Sequence, residues 1–325
     1  HPGARVQVRR LPPARHLDPL QRALLHERTH GDRGLVDAQP EVVAQVALGR
    51  DHIVLMRKDP PVDAEYIHDT QILGIAQQAG ARVVNDPQGL RDYNEKLAAL
   101  LFPQCCPPTV VTRDIATLKA FVADHGQAVL KPLDGMGGRS IFRASRGEAN
   151  LNVILETLTN GGHGLAMAQR YIPEITTGDK RILLIDGEPV DYCLARIPQG
   201  DEFRGNLATG GRGEGRPLSE RDRWIAAQVG PEMKRRGMVF VGLDVIGDYL
   251  TEVNVTSPTC IRELDAQFGL NIAGVLFDAI EARHPGPGTG DRGPGKEQEQ
   301  AQDLPPDAMR PDHHESAFPG PDARA

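Results

Sequence analysis

Short apolar runs alternate with amphipathic stretches through the middle of the chain. The apolar runs at residues 53–57 and 81–84 predict buried strands, and the stretches at residues 64–78 and 94–102 have the apolar spacing of helices. Strands and helices that alternate in this way are typical of sheets covered by helices. The pattern therefore predicts a small doubly wound α/β unit in this part of the chain.

The same pattern continues further along the chain. It predicts strands at 109–111, 165–171, 181–185 and 189–196, and helices at 115–125 and 151–158. Asp186, Gly187 and Glu188 separate the last two strands and favour a tight hairpin turn. We therefore expect a fold of mixed α/β and α+β class.

A glycine-rich turn follows a lysine in the stretch VLKPLDGMGGRSIFR, at residues 129–143. Lys131 precedes residues 133–139, the glycine turn, and the chain returns to a strand at 140–143. Backbone N–H groups of such a turn can converge on a phosphate, and a nearby ammonium adds a positive charge; the glycines concerned are Gly135, Gly137 and Gly138. The order excludes a P-loop or a dinucleotide fingerprint, both of which open a helix. The alternative is a simple hairpin connection.

A second group of polar residues lies in a predicted hairpin at residues 240–254, the acidic hairpin. Glu252 and Asn254 are two residues apart on one strand and so share a face, and Asp244 lies on the partner strand. Such hard oxygen ligands suit magnesium, which takes one or two carboxylates and completes its shell with water and phosphate. The alternative is a polar stripe on an edge strand.

Residues 197–216 combine six glycines with three arginines and few apolar side chains. We predict that this segment, the lid loop, closes over a reaction site, because long loops inside compact proteins are often functional. Cationic side chains on and before it are candidates for phosphate and carboxylate contacts: Arg181, Arg196, Arg204, Arg212 and Arg216. Each of them, taken alone, is more often a solvated surface charge.

The two ends differ in composition from the middle. Residues 1–50 contain no lysine and show no sustained apolar period, which predicts a poorly structured segment whose start is truncated or misread. Residues 284–325 are rich in proline, glycine and polar side chains, which predicts a disordered tail.

Charge and cysteine content narrow the class of protein further. A formal net charge of −7 and an aromatic content of 4% argue against a nucleic-acid groove. The chain has no long apolar run and no signal-peptide pattern, which predicts a soluble cytoplasmic protein without a membrane partner. Its four cysteines form no CxxC pair, so we expect reduced thiols with a structural role.

These motifs together resemble the bacterial glutathione synthetases, members of the ATP-grasp ligase superfamily. The resemblance runs from about residue 53 to residue 283, through VLMRKDPP, LRDYNEKL, LKPLDGMGGRSIFR, DGEPVDYCLARIPQG, RGNLATGGRGE and DVIGDYLTEVNVTSPTCIRE in family order. It implies an ATP-grasp fold preceded by a small α/β domain, here apparently incomplete. The implied domains are an N-terminal substrate domain at 51–112, a central ATP-grasp subdomain at 113–172 and a C-terminal one at 173–283.

The resemblance also implies the reaction and its participants. γ-Glutamylcysteine, glycine and ATP would give glutathione, ADP and phosphate through an acyl phosphate, with Mg²⁺ or Mn²⁺ as cofactor and a homo-oligomer, a tetramer in the family, as the assembly. Another ATP-grasp ligase of carboxylates and amines, or an inactive nucleotide-binding relative, is the alternative.

Site residues carried over from the family fall into four groups. Lys96 and Lys131 are expected on the ATP phosphates, under Gly135, Gly137 and Gly138. The segment from Gln169 to Ile172 is expected on the adenine, and Asp179 on the ribose. Asp244, Glu252 and Asn254 match the metal ligands. Candidates for substrate and acyl-phosphate contacts are Arg181, Arg196, Arg204, Asn206, Ser257 and Thr259.

Overall fold

The computed structural model describes a large central part of the 325-residue chain. The described residues are 8–9, 53–135, 137–200, 202–207 and 210–283. The predicted N-terminal segment, apart from residues 8–9, and the predicted disordered tail lie outside them. Among the described residues, no helix combines the length and the apolar character that crossing a membrane requires.

A three-stranded sheet comes first along the chain. Its strands are β1 (Val8–Arg9), β2 (Ile53–Leu55) and β3 (Arg82–Val84). Strands β2 and β3 pair in parallel, with helix α1 (Ala64–Gln78) between them in sequence. Asp63 begins this helix because its side chain accepts a hydrogen bond of 2.9 Å from the backbone N–H of Tyr66. These elements confirm the predicted strand–helix–strand order.

The sequence did not predict helix α2 (Pro87–Asp92), and the predicted helix at residues 94–102 is wrong. That region forms a turn followed by a short 3-10 helix at Ala98–Leu101. The side chain of Asn94 accepts hydrogen bonds from the backbone N–H groups of Lys96 and Leu97. This local bonding competes with a helix, and it places Lys96 in a turn.

A four-stranded antiparallel sheet follows, with the order β4-β7-β5-β6. The strands are β4 (Thr109–Thr112), β5 (Gln127–Pro132), β6 (Phe142–Ser145) and β7 (Ala166–Arg170). Helices α3 (Ile115–His125) and α4 (Leu151–Leu158) pack on this sheet. Leu118 and Leu155 of these helices are buried in one apolar core with Leu130. Strands β5 and β6 confirm the predicted hairpin around the glycine turn.

The largest sheet has five antiparallel strands in the order β10-β9-β8-β11-β12. They are β8 (Asp179–Ile185), β9 (Glu188–Ile197), β10 (Arg212–Pro217), β11 (Phe240–Ile246) and β12 (Tyr249–Asn254). Three helices cover it: α5 (Glu220–Arg235), α6 (Ile261–Phe268) and α7 (Ile272–Arg283). Side chains of β8 alternate between two cores, since Ile182 belongs to the same buried cluster as Ile225, and Leu183 to the same buried cluster as Leu264. Both faces of this sheet are therefore covered.

The last five residues of the predicted lid loop, 212–216, belong to a strand. Residues 212–217 form strand β10, which pairs with β9 from Arg212 opposite Ile197 to Pro217 opposite Tyr192. A Cβ atom on Gly215 would lie 2.3 Å from the ring of Phe268, so this glycine allows a close approach of helix α6. Arg212 and Arg216 both pair with Glu214 on the same strand. They belong to this strand pair and do not line the cavity described below.

The four cysteines lie within the described residues, and all are free thiols, as predicted. Burial raises the pKa of Cys106 to about 12 and that of Cys193 to about 11. Thiols with such pKa values stay protonated at neutral pH and are poor nucleophiles. This agrees with a structural role for both residues.

Candidate active site

A cavity lies between the four-stranded and the five-stranded sheets, and most of the predicted site residues line it. Those in its wall are Lys96, Lys131, Gly135, Gly137, Gly138, Gln169, Ile172, Asp179, Arg204, Asn206, Asp244 and Glu252. The glycine turn, the acidic hairpin and the lid loop are far apart in sequence. The fold brings all three to one place.

Two lysines and one glutamate form the charged centre of this cavity. The Nζ atom of Lys131 lies 3.5 Å from Oε1 of Glu252, and that of Lys96 lies 3.7 Å from the same oxygen. Lys96 also donates a hydrogen bond of 2.7 Å to the carbonyl of Gly135. Burial by itself would raise the pKa of Glu252, but the two ammonium groups hold it below its usual value. Glu252 is therefore ionised and can serve as a hard oxygen ligand.

The glycine turn is in direct contact with the lid loop. Gly138 has φ of 78°, and the carbonyl of this residue accepts a hydrogen bond of 2.7 Å from Nη1 of Arg204. A Cβ atom on Gly138 would lie only 2.9 Å from Oδ1 of Asn206. Glycine at this position thus meets two demands, a left-handed backbone and close packing of the lid.

A buried network of two arginines and two aspartates forms one wall. Arg181 donates to both carboxylate oxygens of Asp244, at 2.6 and 3.0 Å, and Arg196 lies 3.0 Å from the same carboxylate. Arg196 also pairs with Asp179. Burial opposes ionisation of Asp244, but the two guanidinium groups outweigh it and keep the pKa of this carboxyl well below its usual range.

Asp179 is the exception in this network. Burial raises the pKa of its carboxyl to about 6 in spite of Arg196. Its Oδ1 atom is buried and has no hydrogen-bond partner among the residues that the structure describes. A buried acceptor without a partner is costly, so this oxygen is suited to receive a hydroxyl group of a ligand.

Five predicted site residues lie outside the cavity wall. Arg181 and Arg196 point to the aspartates, and contact of either with substrate stays a prediction. Asn254 donates to the carbonyl of Gly242 at 3.3 Å, and the hydroxyl of Thr259 lies 3.7 Å from Sγ of Cys260. Ser257 is half-buried in the segment that follows β12.

Sequence reasoning missed several residues of the wall. Glu95, beside Lys96, contributes a carboxylate, and Val129, Ile141, Ile175, Ile246 and Phe203 are apolar. Together with Tyr171 of the predicted adenine segment they form the apolar side of the wall. An acid next to a predicted phosphate lysine was the available signal for Glu95. The apolar residues carry no signal of their own, because their role depends on which strands the fold places side by side. Such a mixed wall suits a ligand with a flat apolar ring and a charged tail.

The donor set in the cavity fits a divalent cation. Asp244 and Glu252 are directly opposite each other on β11 and β12, so their carboxylates share one face of the sheet. The described residues contain no group of three or more His, Cys, Asp or Glu side chains arranged around a metal position. Magnesium needs only one or two carboxylates, with the remaining ligands from water and phosphate. Two carboxylates and a nearby amide are therefore sufficient.

Comparison with known proteins agrees with this chemistry. The family model of the prokaryotic glutathione synthetase ATP-grasp domain matches residues 95–269, and that of the N-terminal domain matches residues 21–91. The glutathione synthetase of Xanthomonas campestris pv. campestris is 84% identical over 238 residues, 73% of this chain and 75% of the relative. That of Escherichia coli O157:H7 is 61% identical over 231 residues, 71% of this chain and 73% of the relative.

Solved structures support the fold. D-cycloserine synthetase DcsG aligns with a TM-score of 0.53 at 16% identity, over 67% of this chain and 79% of that chain. The ATP-grasp ligase PsnB, in complex with a precursor variant, Mg and ADP, aligns with a TM-score of 0.52 at 19% identity, over 75% of this chain and 86% of that chain. At such identities the likeness concerns the fold alone.

Proposed function

The chain belongs to the prokaryotic glutathione synthetase family, and from that premise we infer that it is an ATP-dependent ligase that joins γ-glutamylcysteine to glycine. The products are glutathione, ADP and phosphate. The observation that carries this inference is the meeting of Lys96, Lys131 and Glu252 in one cavity, beside the glycine turn. Transfer of a phosphoryl group between two anions needs this kind of charge neutralisation.

We propose roles in nucleotide binding for the residues on the central side of the cavity. Lys96 and Lys131 contact the phosphates, and the glycine turn covers them through its backbone N–H groups. Backbone groups from Gln169 to Ile172 hold the adenine against the apolar wall. Asp179 accepts a hydrogen bond from the ribose, and its buried Oδ1, which has no hydrogen-bond partner among the described residues, supports this role.

Glu252, Asn254 and Asp244 are the proposed ligands of Mg²⁺, or of Mn²⁺ in its place. When bound, such a cation neutralises phosphate charge and orients the terminal phosphate of ATP. Arg181 and Arg196 hold Asp244 in place by the contacts described above. Their further contact with substrate, and that of Ser257 and Thr259, are proposals that rest on the family resemblance.

The reaction itself needs no protein nucleophile. We propose that ATP phosphorylates the cysteinyl carboxylate of γ-glutamylcysteine, and that the glycine amine then attacks the acyl phosphate and displaces phosphate. Arg204 and Asn206 approach the glycine turn from the lid loop, where Arg204 can neutralise the charge of the transferred phosphate and the Asn206 amide can donate a hydrogen bond to it. Closure of the lid excludes water, which would otherwise hydrolyse the acyl phosphate.

The purified full chain tests this function directly. With γ-glutamylcysteine, glycine, ATP and MgCl₂, we expect glutathione and ADP in equal amounts, measured by chromatography. A panel of other dipeptides and amines distinguishes a glutathione synthetase from a different ATP-grasp ligase, which would release ADP with another pair of substrates. Nucleotide binding without ADP release on any pair would instead indicate an inactive relative.

A substitution at Gly138 tests the contact between the glycine turn and the lid loop. The variant G138A should lower ligase activity by about tenfold or more, because its Cβ would meet Asn206 and displace the lid. G147A is the matched control: Gly147 has φ of 79°, and an added Cβ there would meet none of the described residues within 4 Å. In both variants the left-handed backbone conformation should lower the free energy of unfolding by about 1–2 kcal/mol, which urea unfolding would measure. Equal activities in the two would contradict the lid contact.

The homo-oligomer and the cytoplasmic location implied by the resemblance stay predictions. The tetramer can be checked by light scattering of the purified chain. Cell fractionation of the source organism would check the location.

A further inference from the structure

We propose that Glu95 is a positioning residue that holds the ammonium of Lys96 away from Glu252 and so leaves Glu252 available to a divalent cation. This inference rests on the proposed function, in which Glu252 is a metal ligand. It assigns a role to a carboxylate that the reaction scheme above does not use.

The contacts around Lys96 carry the proposal. Its Nζ atom, in a side chain only 2% exposed, lies 2.5 Å from Oε1 of Glu95 and 3.7 Å from Oε1 of Glu252. The stronger ion pair is therefore with Glu95. If Glu95 lost its charge, Glu252 would be the carboxylate left beside this ammonium.

Backbone bonds fix the position of Glu95. Its carbonyl accepts a hydrogen bond of 2.8 Å from the N–H of Val253, the residue next to Glu252. The side chain of the preceding Asn94 donates to the carbonyl of Leu133, at the start of the glycine turn, at 2.9 Å. The segment is thus attached both to the acidic hairpin and to the glycine turn, and Glu95 sits between them.

Charge balance explains why a second carboxylate is needed here. Two ammonium groups, those of Lys96 and Lys131, lie within 4 Å of one oxygen of Glu252. Both compete with a cation for that oxygen. Glu95 offsets one of these charges. The closest carboxylate to Lys96 is therefore that of Glu95 and not that of the metal ligand.

Loss of the Glu95 charge has a specific signature in nucleotide binding. E95Q makes the site more positive, so ADP without Mg²⁺ should bind as tightly as to the unaltered chain or more tightly. The gain in ADP affinity on adding Mg²⁺ should fall by on the order of tenfold, because Lys96 then pairs with Glu252. Damage to the fold alone would weaken both affinities together.

The experiment is calorimetric titration of ADP into the full chain at pH 8, with and without MgCl₂. E95D keeps the charge and should retain most of the Mg²⁺-dependent gain. E156Q removes an equal charge from an exposed position on α4 and should behave as the unaltered chain. Thermal unfolding of each variant reports whether it is folded.

A double variant decides whether Glu95 acts through Lys96. In E95Q/K96M the competing ammonium is absent, so the Mg²⁺-dependent gain should return to that of K96M alone, even if absolute ADP affinity falls. The comparison of E95Q/K96M with K96M still tests the proposal if E95Q alone does not fold, because the double variant removes both charges of the buried pair. A gain lower in E95Q/K96M than in K96M would overturn the proposal, and so would an undiminished gain in folded E95Q.

The outcomes separate this inference from the proposed function. If ADP binding to the unaltered chain does not depend on Mg²⁺, the metal site itself is wrong and both fail. If the unaltered chain shows the gain and folded E95Q shows the same gain, only the role of Glu95 fails.

Discussion

Replacing Lys131 with alanine should lower glutathione formation by about 100- to 1,000-fold, the usual loss when one preorganised charge is removed from a transition state. The side chain is 5% exposed, comes from the central strand pair β5–β7, and ends 3.5 Å from Glu252. It is thus fixed at the cavity wall, where the low dielectric strengthens its effect on phosphate charge. Initial rates of ADP release and glutathione formation measure the loss.

The control for this variant is K119A, which removes the same side chain from an exposed position on α3 of the same sheet unit. It should retain full activity. K131A should remain folded, because Glu252 keeps Lys96 as a partner at 3.7 Å. The phosphate role of Lys131 would be refuted if folded K131A kept more than half of the rate measured for K119A.

The sequence allowed the motifs of the site to be predicted, because each of them is local. The lysine at the end of a strand and the run of glycines after it can be read directly from the sequence. Strand geometry places Glu252 and Asn254, two residues apart, on one face. The structure brings the glycine turn and the acidic hairpin to one cavity. Their convergence was implied by the family resemblance and not by the spacing, since nothing local links residues 131 and 252.

Predictions from the sequence are wrong where distant contacts outweigh the local pattern. The glycine-rich pattern places residues 212–216 in the lid loop, but they belong to a strand in which Gly215 lies against the ring of Phe268, from a helix about fifty residues later. Residues 94–102 have helical apolar spacing, but the Asn94 side chain bonds the backbone of a turn. Propensity is a weak prior at such positions.

The partners of Asp244 were also beyond the reach of the sequence. Arg181 lies opposite Asp244 on the neighbouring strand β8, and Arg196 reaches it from β9. Only the strand order of the five-stranded sheet shows that two arginines meet one carboxylate. An acid predicted as a metal ligand is therefore also the centre of a buried ion network.

This double role leads to the second large effect, at Asp244. The variant D244N keeps the shape of the side chain but removes the charge that balances Arg181 and Arg196, both buried. Removing one partner of a buried ion pair leaves an uncompensated charge, so the free energy of unfolding should fall by about 3–5 kcal/mol. Activity should fall as well, since Asp244 lines the cavity. Urea unfolding followed by circular dichroism measures the first effect.

The matched control is D191N, which makes the same chemical change in the exposed pair of Asp191 and Arg223. Its free energy of unfolding should change by less than about 1 kcal/mol, because water solvates both groups after the pair is lost. A D244N chain as stable as D191N but inactive would assign Asp244 to the reaction alone and would contradict its part in the buried network. We expect stability and activity to fall together. The same carboxylate balances the charge of two buried guanidinium groups and also lines the cavity.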